Sequence, residues 1–364
     1  MTDMNEICIS GITYSGDEIR ADRTIHFTGQ SPFHHQLCLF LKDWFSPSRT
    51  MRLRTSGSTG VPKEITVRKE QMLQSARMTC DFFQLNKGDK ALLCLPLDYI
   101  AGTMMVVRAI CAGLDLYPVE PSGHPLAGGA ELYDFAAMVP LQVYNALQTA
   151  EERQRLSQIR KLIIGGGAID EQLAEALQDF PNAIYATYGM TETVSHIALR
   201  SISGTGADRF YTPLPGVTLS LSDEQTLIID APRVADAPVV TNDIAEVRED
   251  GTFRIIGRKD NVINTGGIKV QTEEVERILR PHMTGNFAIT SLPNAKLGEA
   301  IILLIEPAAD PDAVREAVKK LLPRYQQPLH ILTVDAIPLT GSGKTDRTAT
   351  KNLAMKTVSL PDSV

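Results

Sequence analysis

The sequence predicts an α/β protein with a large N-terminal domain and a small C-terminal domain. Short apolar runs alternate with amphipathic stretches up to about residue 190, which is the order of strands and helices in an α/β sheet. The polar segment Gly257–Asn261 interrupts this pattern, and a new series of strands and helices follows it. We therefore expect domains at residues 1–259 and 260–364.

The composition limits the classes of protein to which the chain can belong. Of its 364 residues, 43% are hydrophobic and 22% are charged, and the net charge is −7. Proteins that coat nucleic acid bind phosphates with many Lys and Arg side chains, so we expect no nucleic-acid partner. The five cysteines lie far apart and are odd in number, which indicates neither a zinc site nor a disulfide scaffold. Because the chain shows no apolar leader and no run of about eighteen apolar residues, we expect a cytoplasmic protein without a membrane span.

The elements of the N-terminal domain can be predicted in chain order. The first 50 residues are mostly irregular, apart from a helix near residues 34–46. The run Ala91–Leu95 is apolar throughout, which is typical of a strand buried on both faces of a parallel sheet. Residues 198–256 hold short strands between Gly, Pro and Asp turns, which indicates a small β-barrel or an antiparallel sheet. Further strands are expected at residues 51–54, 65–67, 114–119, 135–141, 162–164 and 183–186, and helices at 68–85, 103–113 and 170–180.

The C-terminal domain is expected to be α+β. Asp310 and Pro311 suit the cap and the first position of a helix that runs to residue 322. The other expected elements are a helix at residues 272–280 and strands at 286–291, 300–305 and 331–334.

A polar segment between two expected strands is the first candidate for ligand binding. It reads T-S-G-S-T-G-V-P-K, a composition that disfavours a helix and offers many hydroxyl and N–H donors before a final cation. A turn of this kind can surround the oxygens of a triphosphate, whereas a Ser/Gly linker is the alternative. The candidate phosphate-binding residues are Thr55, Ser56, Gly57, Ser58, Thr59, Gly60 and Lys63.

Two more turn-like segments follow expected strands, and ligands of open α/β sheets lie at the carboxyl ends of strands. Gly165 and Gly166 permit close approach of a ligand to the backbone, although an ordinary strand-to-helix turn would also contain them. Tyr188 offers a ring face to a base, or else belongs to the core. Glu192, beside Thr191, suits a magnesium ion, or else lies in solvent.

Two further residues complete the set of candidates. The Asp243 carboxylate could bind a ribose diol, or it could act locally in a β-turn. Lys344 ends the string T-G-S-G-K, which resembles the end of a Walker A motif. Position 338 holds Pro where that motif needs Gly, so a P-loop kinase or NTPase is disfavoured. A Lys on such a loop can meet a developing negative charge, or it can be a solvated surface residue.

Five segments in this order resemble the acyl-adenylate-forming superfamily, which comprises acyl-CoA synthetases, adenylation domains and luciferases. They are Thr55–Lys63, Tyr188–Glu192 (Y-G-M-T-E), Thr241–Asp243 (T-N-D), Gly257–Gly267 (G-R-K-D, then G-G) and Pro338–Lys344 (P-L-T-G-S-G-K). The resemblance implies that ATP, with Mg²⁺, and a carboxylic acid form an acyl-adenylate and pyrophosphate. The thiol of coenzyme A then attacks the adenylate and expels AMP.

The resemblance also implies a role for each matching residue. In the nucleotide site, the hydroxyls of the first segment and Lys63 would enclose the β- and γ-phosphates, while the carboxylate of Glu192 would hold Mg²⁺. The other implied contacts are Tyr188 on adenine near the backbone of Gly165 and Gly166, Thr191 on the α-phosphate, and Asp243 on the ribose with Arg258 nearby.

The C-terminal domain would take part in both half-reactions. Lys344 would bridge the acid and the α-phosphate while the adenylate forms. Asp260 resembles the hinge about which the small, mobile domain rotates between the half-reactions. Gly266 and Gly267 would then enter the site for transfer to the thiol.

A shorter segment bears on the identity of the acid. The string L-P-L-D-Y-I-A-G, which includes Tyr99 and Gly102 and is followed by Arg108, resembles a stretch of the 2-succinylbenzoate–CoA ligases of menaquinone synthesis. That resemblance places Arg108 near the acyl pocket, where it could pair with a second carboxylate. Arg108 lies in an otherwise apolar helix, where a charge is costly unless it is paired. The alternative is an Arg that extends to the surface.

The sequence departs from the family pattern at several points. Only 54 residues precede the first phosphate segment, so we expect the N-terminal part to be shortened. Glu64 replaces a small residue, and Tyr99 stands where relatives often have His or another aromatic residue. Two alternatives stay open: adenylation with transfer to a carrier-protein thiol or an amine, and a non-catalytic nucleotide-binding relative. The presence of all four residues that the chemistry needs disfavours the second: Lys63, Glu192, Asp243 and Lys344.

Overall fold

The fold is described from a computed structural model, and the elements are numbered in chain order. The residues that the structure describes are 4–21, 31–54, 64–129, 131–167, 169–340 and 345–358. The strands of residues 1–213 are β1 (Glu6–Ile9), β2 (Ile12–Ser15), β3 (Thr50–Arg54), β4 (Glu64–Arg68), β5 (Lys90–Leu93), β6 (Asp115–Pro118), β7 (Phe135–Met138), β8 (Lys161–Ile164), β9 (Ala183–Gly189), β10 (His196–Ser201) and β11 (Thr212–Pro213). The helices of this part are α1 (Gly16–Arg20), α2 (Pro32–Phe45), α3 (Lys69–Phe83), α4 (Ile100–Ala112), α5 (Pro140–Leu147), α6 (Ala150–Gln158) and α7 (Glu171–Gln178).

A nine-stranded sheet forms the centre of this part. Its order is β11-β10-β9-β8-β7-β5-β6-β1-β2, and the six strands from β9 to β1 are mutually parallel. One hydrophobic cluster includes residues of α2, α3 and α4, and a second includes residues of α5, α6 and α7. The central strands are therefore buried by helices on both faces, which confirms the α/β fold predicted from apolar runs.

The direction of the connections reverses between β5 and β7. From β5 the chain moves to β6 on one side, and it then returns across β5 to β7, β8 and β9 on the other side. In open α/β sheets such a reversal leaves a crevice at the carboxyl ends of the strands, where ligands bind. The segments that follow β5, β8 and β9 carry several of the candidate residues: Tyr99 and Gly102, Gly165 and Gly166, and Thr191 and Glu192.

Two predictions for this part were wrong, and two helices were not predicted. The first 50 residues hold two strands, β1 and β2, that extend the large sheet, rather than mostly irregular structure. Residues 140–158 form α5 and α6, which had not been expected. Strand β9 runs on to Gly189, so Tyr188 lies within a strand and not in the turn after it.

A separate antiparallel sheet follows in residues 218–258. It comprises β12 (Thr218–Leu221), β13 (Thr226–Asp230), β14 (Val239–Val247) and β15 (Phe253–Arg258), in that order. The antiparallel alternative is therefore the correct one for the predicted β-barrel-like part. Strands β10 and β11, expected within it, belong to the large sheet instead.

A five-stranded sheet with three helices makes up the described residues beyond 261. The elements are β16 (Val262–Thr265), β17 (Ile268–Gln271), α8 (Thr272–Leu279), β18 (Phe287–Asn294), β19 (Gly298–Ile305), α9 (Pro311–Leu321), β20 (His330–Thr333) and α10 (Arg347–Val358). The sheet order is β17-β16-β19-β18, with β20 parallel to β19. Helix α10 was not predicted.

No helix within the described ranges is long and apolar enough to cross a membrane.

Candidate active site

The backbone at the ends of β8 and β9 is closely packed. Gly165 donates its N–H to Met138 O, and the Thr187 hydroxyl donates to Ile164 O at 3.3 Å. A Cβ on Gly165 would overlap the Thr187 hydroxyl, so this position needs glycine. Gly166 has φ +76°, a conformation that side chains disfavour. The glycines therefore shape the turn itself, and their contact with a nucleotide stays a prediction.

Tyr188, Asp243 and Arg258 form one polar group at the end of β9. The Tyr188 hydroxyl donates to Asp243 Oδ2 at 2.6 Å, and Arg258 Nη1 donates to Asp243 Oδ1 at 2.9 Å. The Tyr188 ring packs edge-on against Phe253. Burial and the Asp243 carboxylate raise the pKa of Tyr188. Asp243 and Asp260 raise the pKa of Arg258 despite partial burial.

This arrangement leaves the Asp243 carboxylate with acceptor capacity. The side chain is only 12% exposed, and each of its oxygens accepts one side-chain hydrogen bond. A carboxylate oxygen has two lone pairs, so both can accept a further hydroxyl group. Binding of a ribose diol by this carboxylate stays a prediction. Stacking of Tyr188 on adenine stays a prediction.

Glu192 lies on a short 3₁₀ helix, Thr191–Thr193, that follows β9. Its side chain is exposed, and within the described part of the chain its carboxylate has no hydrogen-bond or ion-pair partner. The residues that the structure describes contain no group of three His, Cys, Asp or Glu side chains suited to a metal. Mg²⁺ usually takes one or two carboxylates and completes its shell with phosphate oxygens and water. A lone Glu192 fits that use beside a bound triphosphate.

Arg108 is the largest fully buried side chain of the described residues, at 1% exposed. Its Nη2 donates to Ser195 Oγ at 2.9 Å, and its Nη1 lies 3.7 Å from Met105 Sδ. Nε is buried without a partner, and no carboxylate among the described residues pairs with the guanidinium. Burial lowers the pKa of Arg108 to about 10. Arg108 therefore does not extend to the surface, and an anionic ligand group fits its unpaired charge.

Tyr99 and Gly102 lie at the start of α4. Tyr99 is 36% exposed and precedes the first residue of the helix. A Cβ on Gly102 would overlap Pro96 O, so glycine lets α4 begin against the segment that follows β5. This close approach carries Arg108, two turns further along α4, into the interior.

The predicted hinge lies between β15 and β16. Asp260 accepts hydrogen bonds from Asn242 Nδ2 and from Arg258 Nη2, the latter at 3.0 Å. Gly266 and Gly267 have φ +59° and +81° and connect Thr265 to its partner Ile268 in a two-residue hairpin. Positive φ at both central positions is typical of a type I′ turn, which glycine adopts readily. Their part in the thiol step stays a prediction.

Two predicted segments lie outside the described residues. These are Thr55–Lys63, with all seven of its phosphate-binding candidates, and residues 341–344, with Lys344. The residues that flank these segments are partners in antiparallel β pairing: Arg54 lies opposite Glu64, and Leu339 lies opposite Thr345.

The structure adds three polar residues around Arg108 that the sequence did not indicate. Besides Ser195, they are His196 and Thr79, whose Nε2 and Oγ1 atoms lie 3.1 Å apart. Burial, and secondarily the Arg108 charge, lower the pKa of His196 well below its usual value. The short spacing from Glu192 to Ser195 was the one available signal, because Ser195 lies three residues after the Y-G-M-T-E motif.

Comparison with known proteins identifies the class. The family model of AMP-binding enzymes matches residues 53–235, which is half of the chain. The chain therefore belongs to the AMP-binding enzyme family. It is 34% identical to the acyl-CoA synthetase (AMP-forming)/AMP-acid ligase II-like protein of Dyadobacter fermentans, a solved structure, with a TM-score of 0.62 over 89% of this chain and 95% of that one.

Several of the similar proteins are named for the same acid, 2-succinylbenzoate. The chain is 28% identical to 2-succinylbenzoate–CoA ligase of Escherichia coli, over 82% of this chain and 67% of that protein. It shares the fold of the o-succinylbenzoate coenzyme A synthetase of Bacillus subtilis, solved with ATP and a magnesium ion. The TM-score is 0.68 at 20% identity, over 82% of this chain and 68% of that one. The chain thus spans about two thirds of these two relatives and nearly all of the Dyadobacter protein.

Proposed function

We propose that the protein is an AMP-forming acid–thiol ligase that converts 2-succinylbenzoate to 2-succinylbenzoyl-CoA. In the first step a carboxylate oxygen of the acid attacks the α-phosphorus of ATP, and pyrophosphate leaves. In the second step the coenzyme A thiol, having lost its proton, attacks the acyl carbon, and AMP leaves. Membership in the AMP-binding family and similarity to the E. coli ligase support this chemistry.

The observation that carries the choice of acid is the unpaired charge of Arg108. A buried guanidinium without a carboxylate partner is costly, and an acid with a second carboxylate would relieve that cost. An acid with only the reacting carboxylate would leave the charge unpaired. Tyr99 and Gly102, at the start of the same helix, are proposed to line the acid pocket.

The nucleotide is proposed to lie across the ends of β8 and β9. Each oxygen of the Asp243 carboxylate has a lone pair left for a ribose hydroxyl, and Arg258 donates to that carboxylate. Thr191 would contact the α-phosphate and Glu192 would hold Mg²⁺, which neutralises charge on the triphosphate. The remaining proposed contacts are Tyr188 on adenine, Gly165 and Gly166 beside it, and Thr55–Lys63 and Lys344 on the phosphates.

We further propose that residues 1–259 and 260–364 act as two domains in the cytoplasm. The separate sheets on the two sides of Asp260 support the division. Rotation about Asp260 would exchange Lys344 for the Gly266–Gly267 hairpin between the half-reactions.

Pyrophosphate release tests the proposal. The protein is incubated with ATP, Mg²⁺ and single acids from a panel of mono- and dicarboxylic acids, and coenzyme A is then added to the positives. We expect release with 2-succinylbenzoate, loss of release with EDTA, and an acyl-CoA product. If adenylate forms but its acyl group is transferred only to a carrier-protein thiol or to an amine, then that group is the acceptor and coenzyme A is not. Absence of release with every acid would refute the enzyme assignment.

A further inference from the structure

The backbone between Glu192 and Ser195, the hydrogen-bond partner of Arg108, is strained at one residue. Val194 has φ +66° and ψ −50°, and it is 2% exposed. Ser195 N–H donates to Thr193 O at 2.7 Å, which closes a three-residue γ-turn centred on Val194. This turn is rare, and a β-branched residue with positive φ is a true outlier. The other non-glycine residues with positive φ in the described ranges are Ser10, Gln84 and Gln225.

The surrounding contacts hold this turn in place. The buried Thr193 hydroxyl lies 2.8 Å from Ser195 O and 3.0 Å from Met190 O, and it accepts from Met190 N–H at 3.1 Å. A Cβ on Gly189 would overlap Ser195 O, so the end of β9 lies directly against the turn. Strained backbone persists where its surroundings over-determine it, and such positions cluster at functional sites.

The turn directs one hydroxyl at Arg108. Ser195 Oγ accepts from Arg108 Nη2 at 2.9 Å, and it is the one oxygen acceptor that the described residues offer to this guanidinium. Since Met105 Sδ is a weak acceptor and Nε has no partner, Ser195 gives the guanidinium its one strong hydrogen bond within the described residues.

The neighbouring histidine adds no second charge. The Thr79 hydroxyl donates to Ser75 O at 3.2 Å, so it accepts from His196, and we assign the imidazole proton to Nε2. Arg108 is then the single charge of a buried group that also contains Thr79, Ser195 and His196. A single fixed cation suits a single carboxylate.

We propose that Ser195, aimed by the γ-turn at Val194, is a positioning residue that sets the preference for a dicarboxylic acid by orienting Arg108 toward the non-reacting carboxylate. The inference rests on the proposed function and deepens it. Because the turn directly follows Thr191 and Glu192, it also joins the acid anchor to the segment proposed to contact the α-phosphate and magnesium.

Substitutions of Ser195 test the proposal. Pyrophosphate release is measured with 2-succinylbenzoate and with two analogues that each lack one of its carboxylates. For Ser195→Ala we expect the KM for 2-succinylbenzoate to rise about 10-fold, because the charged donor loses its oriented acceptor. The KM for ATP and the kcat/KM for the analogue that keeps only the reacting carboxylate should stay within about 2-fold of wild type.

Two further variants separate positioning from structure. Ser195→Thr keeps the hydroxyl and should restore most of the preference for the dicarboxylic acid. Ser201→Ala is the matched control, since Ser201 ends strand β10, which begins directly after Ser195, and its hydroxyl donates to Ser203 O instead. In a double-mutant cycle, the effects of Arg108→Lys and Ser195→Ala on the KM for 2-succinylbenzoate should be strongly non-additive, because both substitutions remove the same interaction.

The outcomes distinguish the inference from the proposed function. Equal losses with all acids, or a raised KM for ATP, would show that Ser195 is merely structural and would overturn the inference. An unchanged preference in Ser195→Ala would do the same. If the wild type forms no adenylate, the proposed function fails, and calorimetric binding of 2-succinylbenzoate to wild type and Ser195→Ala then decides whether the residue discriminates. Equal binding or no binding overturns the inference as well.

Discussion

Arg108 shows how a single residue can work against the stability of its own fold. Burial lowers the pKa of its guanidinium from the ordinary value of an arginine to about 10, so the folded protein holds this proton less tightly than the unfolded chain does. A shift of that size corresponds to roughly 3 kcal/mol of lost stability below the folded pKa. The loss disappears as pH rises above about 10 toward the ordinary pKa of arginine, a range in which the unfolded chain still binds the proton.

Replacement of Arg108 by Met should therefore raise stability and abolish the preference for a dicarboxylic acid. Met has similar length and no charge, and the site is lined in part by Met105. We expect the free energy of unfolding in urea at pH 7.5 to increase by about 1–3 kcal/mol. Release of pyrophosphate with 2-succinylbenzoate should fall at least about 10-fold at low acid concentration. Unfolding at lower urea than wild type would contradict this account.

Lys344→Ala should separate the two half-reactions. The lysine is proposed to meet the charge that develops as the acid attacks ATP, where a removed donor costs about 100- to 1000-fold in rate. Pyrophosphate release should fall by that order, while attack of coenzyme A on synthetic acyl-adenylate should proceed at near the wild-type rate. Normal pyrophosphate release from Lys344→Ala would remove this role.

At this scale the sequence could indicate types of residue better than their contacts. An Arg within an apolar helix indicated a buried charge, because the helix leaves it no polar face. The contact with Ser195 could not be predicted, since it joins α4 to the start of β10 across 87 residues and depends on the φ of Val194. Nothing in a Thr-Val-Ser string indicates a γ-turn.

At the scale of the elements, two ion pairs connect helix α10 to the sheet and to α8, and they differ in exposure. Arg347 donates to both Glu276 oxygens, at 2.7 and 2.8 Å, and to Ile289 O. The Glu276 carboxylate raises the pKa of Arg347 although burial lowers it. One turn later, the Lys351 ammonium lies 3.5 Å from Glu299, and both of those side chains are more exposed.

Arg347→Ala should destabilise the C-terminal region, whereas Lys351→Ala should not. Loss of one partner from a buried pair costs roughly 3–5 kcal/mol, and the partial exposure of Arg347 reduces our expectation to about 2 kcal/mol. An exposed pair contributes about 0–1 kcal/mol. Hydrogen exchange of the α10 amides measures both effects on the same helix. Equal protection in the two variants would contradict the distinction.

The elements that could be predicted are those with a strong apolar period. Strands β5, β7 and β8 are buried on both faces, so their sequences are continuous apolar runs. Strand β2 was missed because it is a short edge strand with exposed residues, and α6 because only Glu152 and Leu156 of its nine residues are buried. Sequence periodicity reports only which residues are buried, and few residues of β2 and α6 are buried.

For the whole molecule, the proposed hinge predicts two arrangements of the domains. Asp260 is held by Asn242 and Arg258, and Gln271 Nε2 donates to Arg258 O at 3.0 Å just beyond it. Structures with ATP and with a stable adenylate analogue plus coenzyme A should differ by a large rotation of residues 260–364. One interdomain angle in every ligand state would contradict alternation between half-reactions.

The order of strands in the large sheet also constrains how the chain is made. Strand β1 pairs with β6, and Cys8 lies opposite Asp115, 107 residues later. At about 5–20 residues per second, the ribosome delivers that partner about 5–20 s after β1 emerges. A hairpin such as β1–β2 forms in microseconds, so it must wait for a sheet to join. We infer that the N-terminal edge of the sheet docks late, once β5, α4 and β6 have assembled.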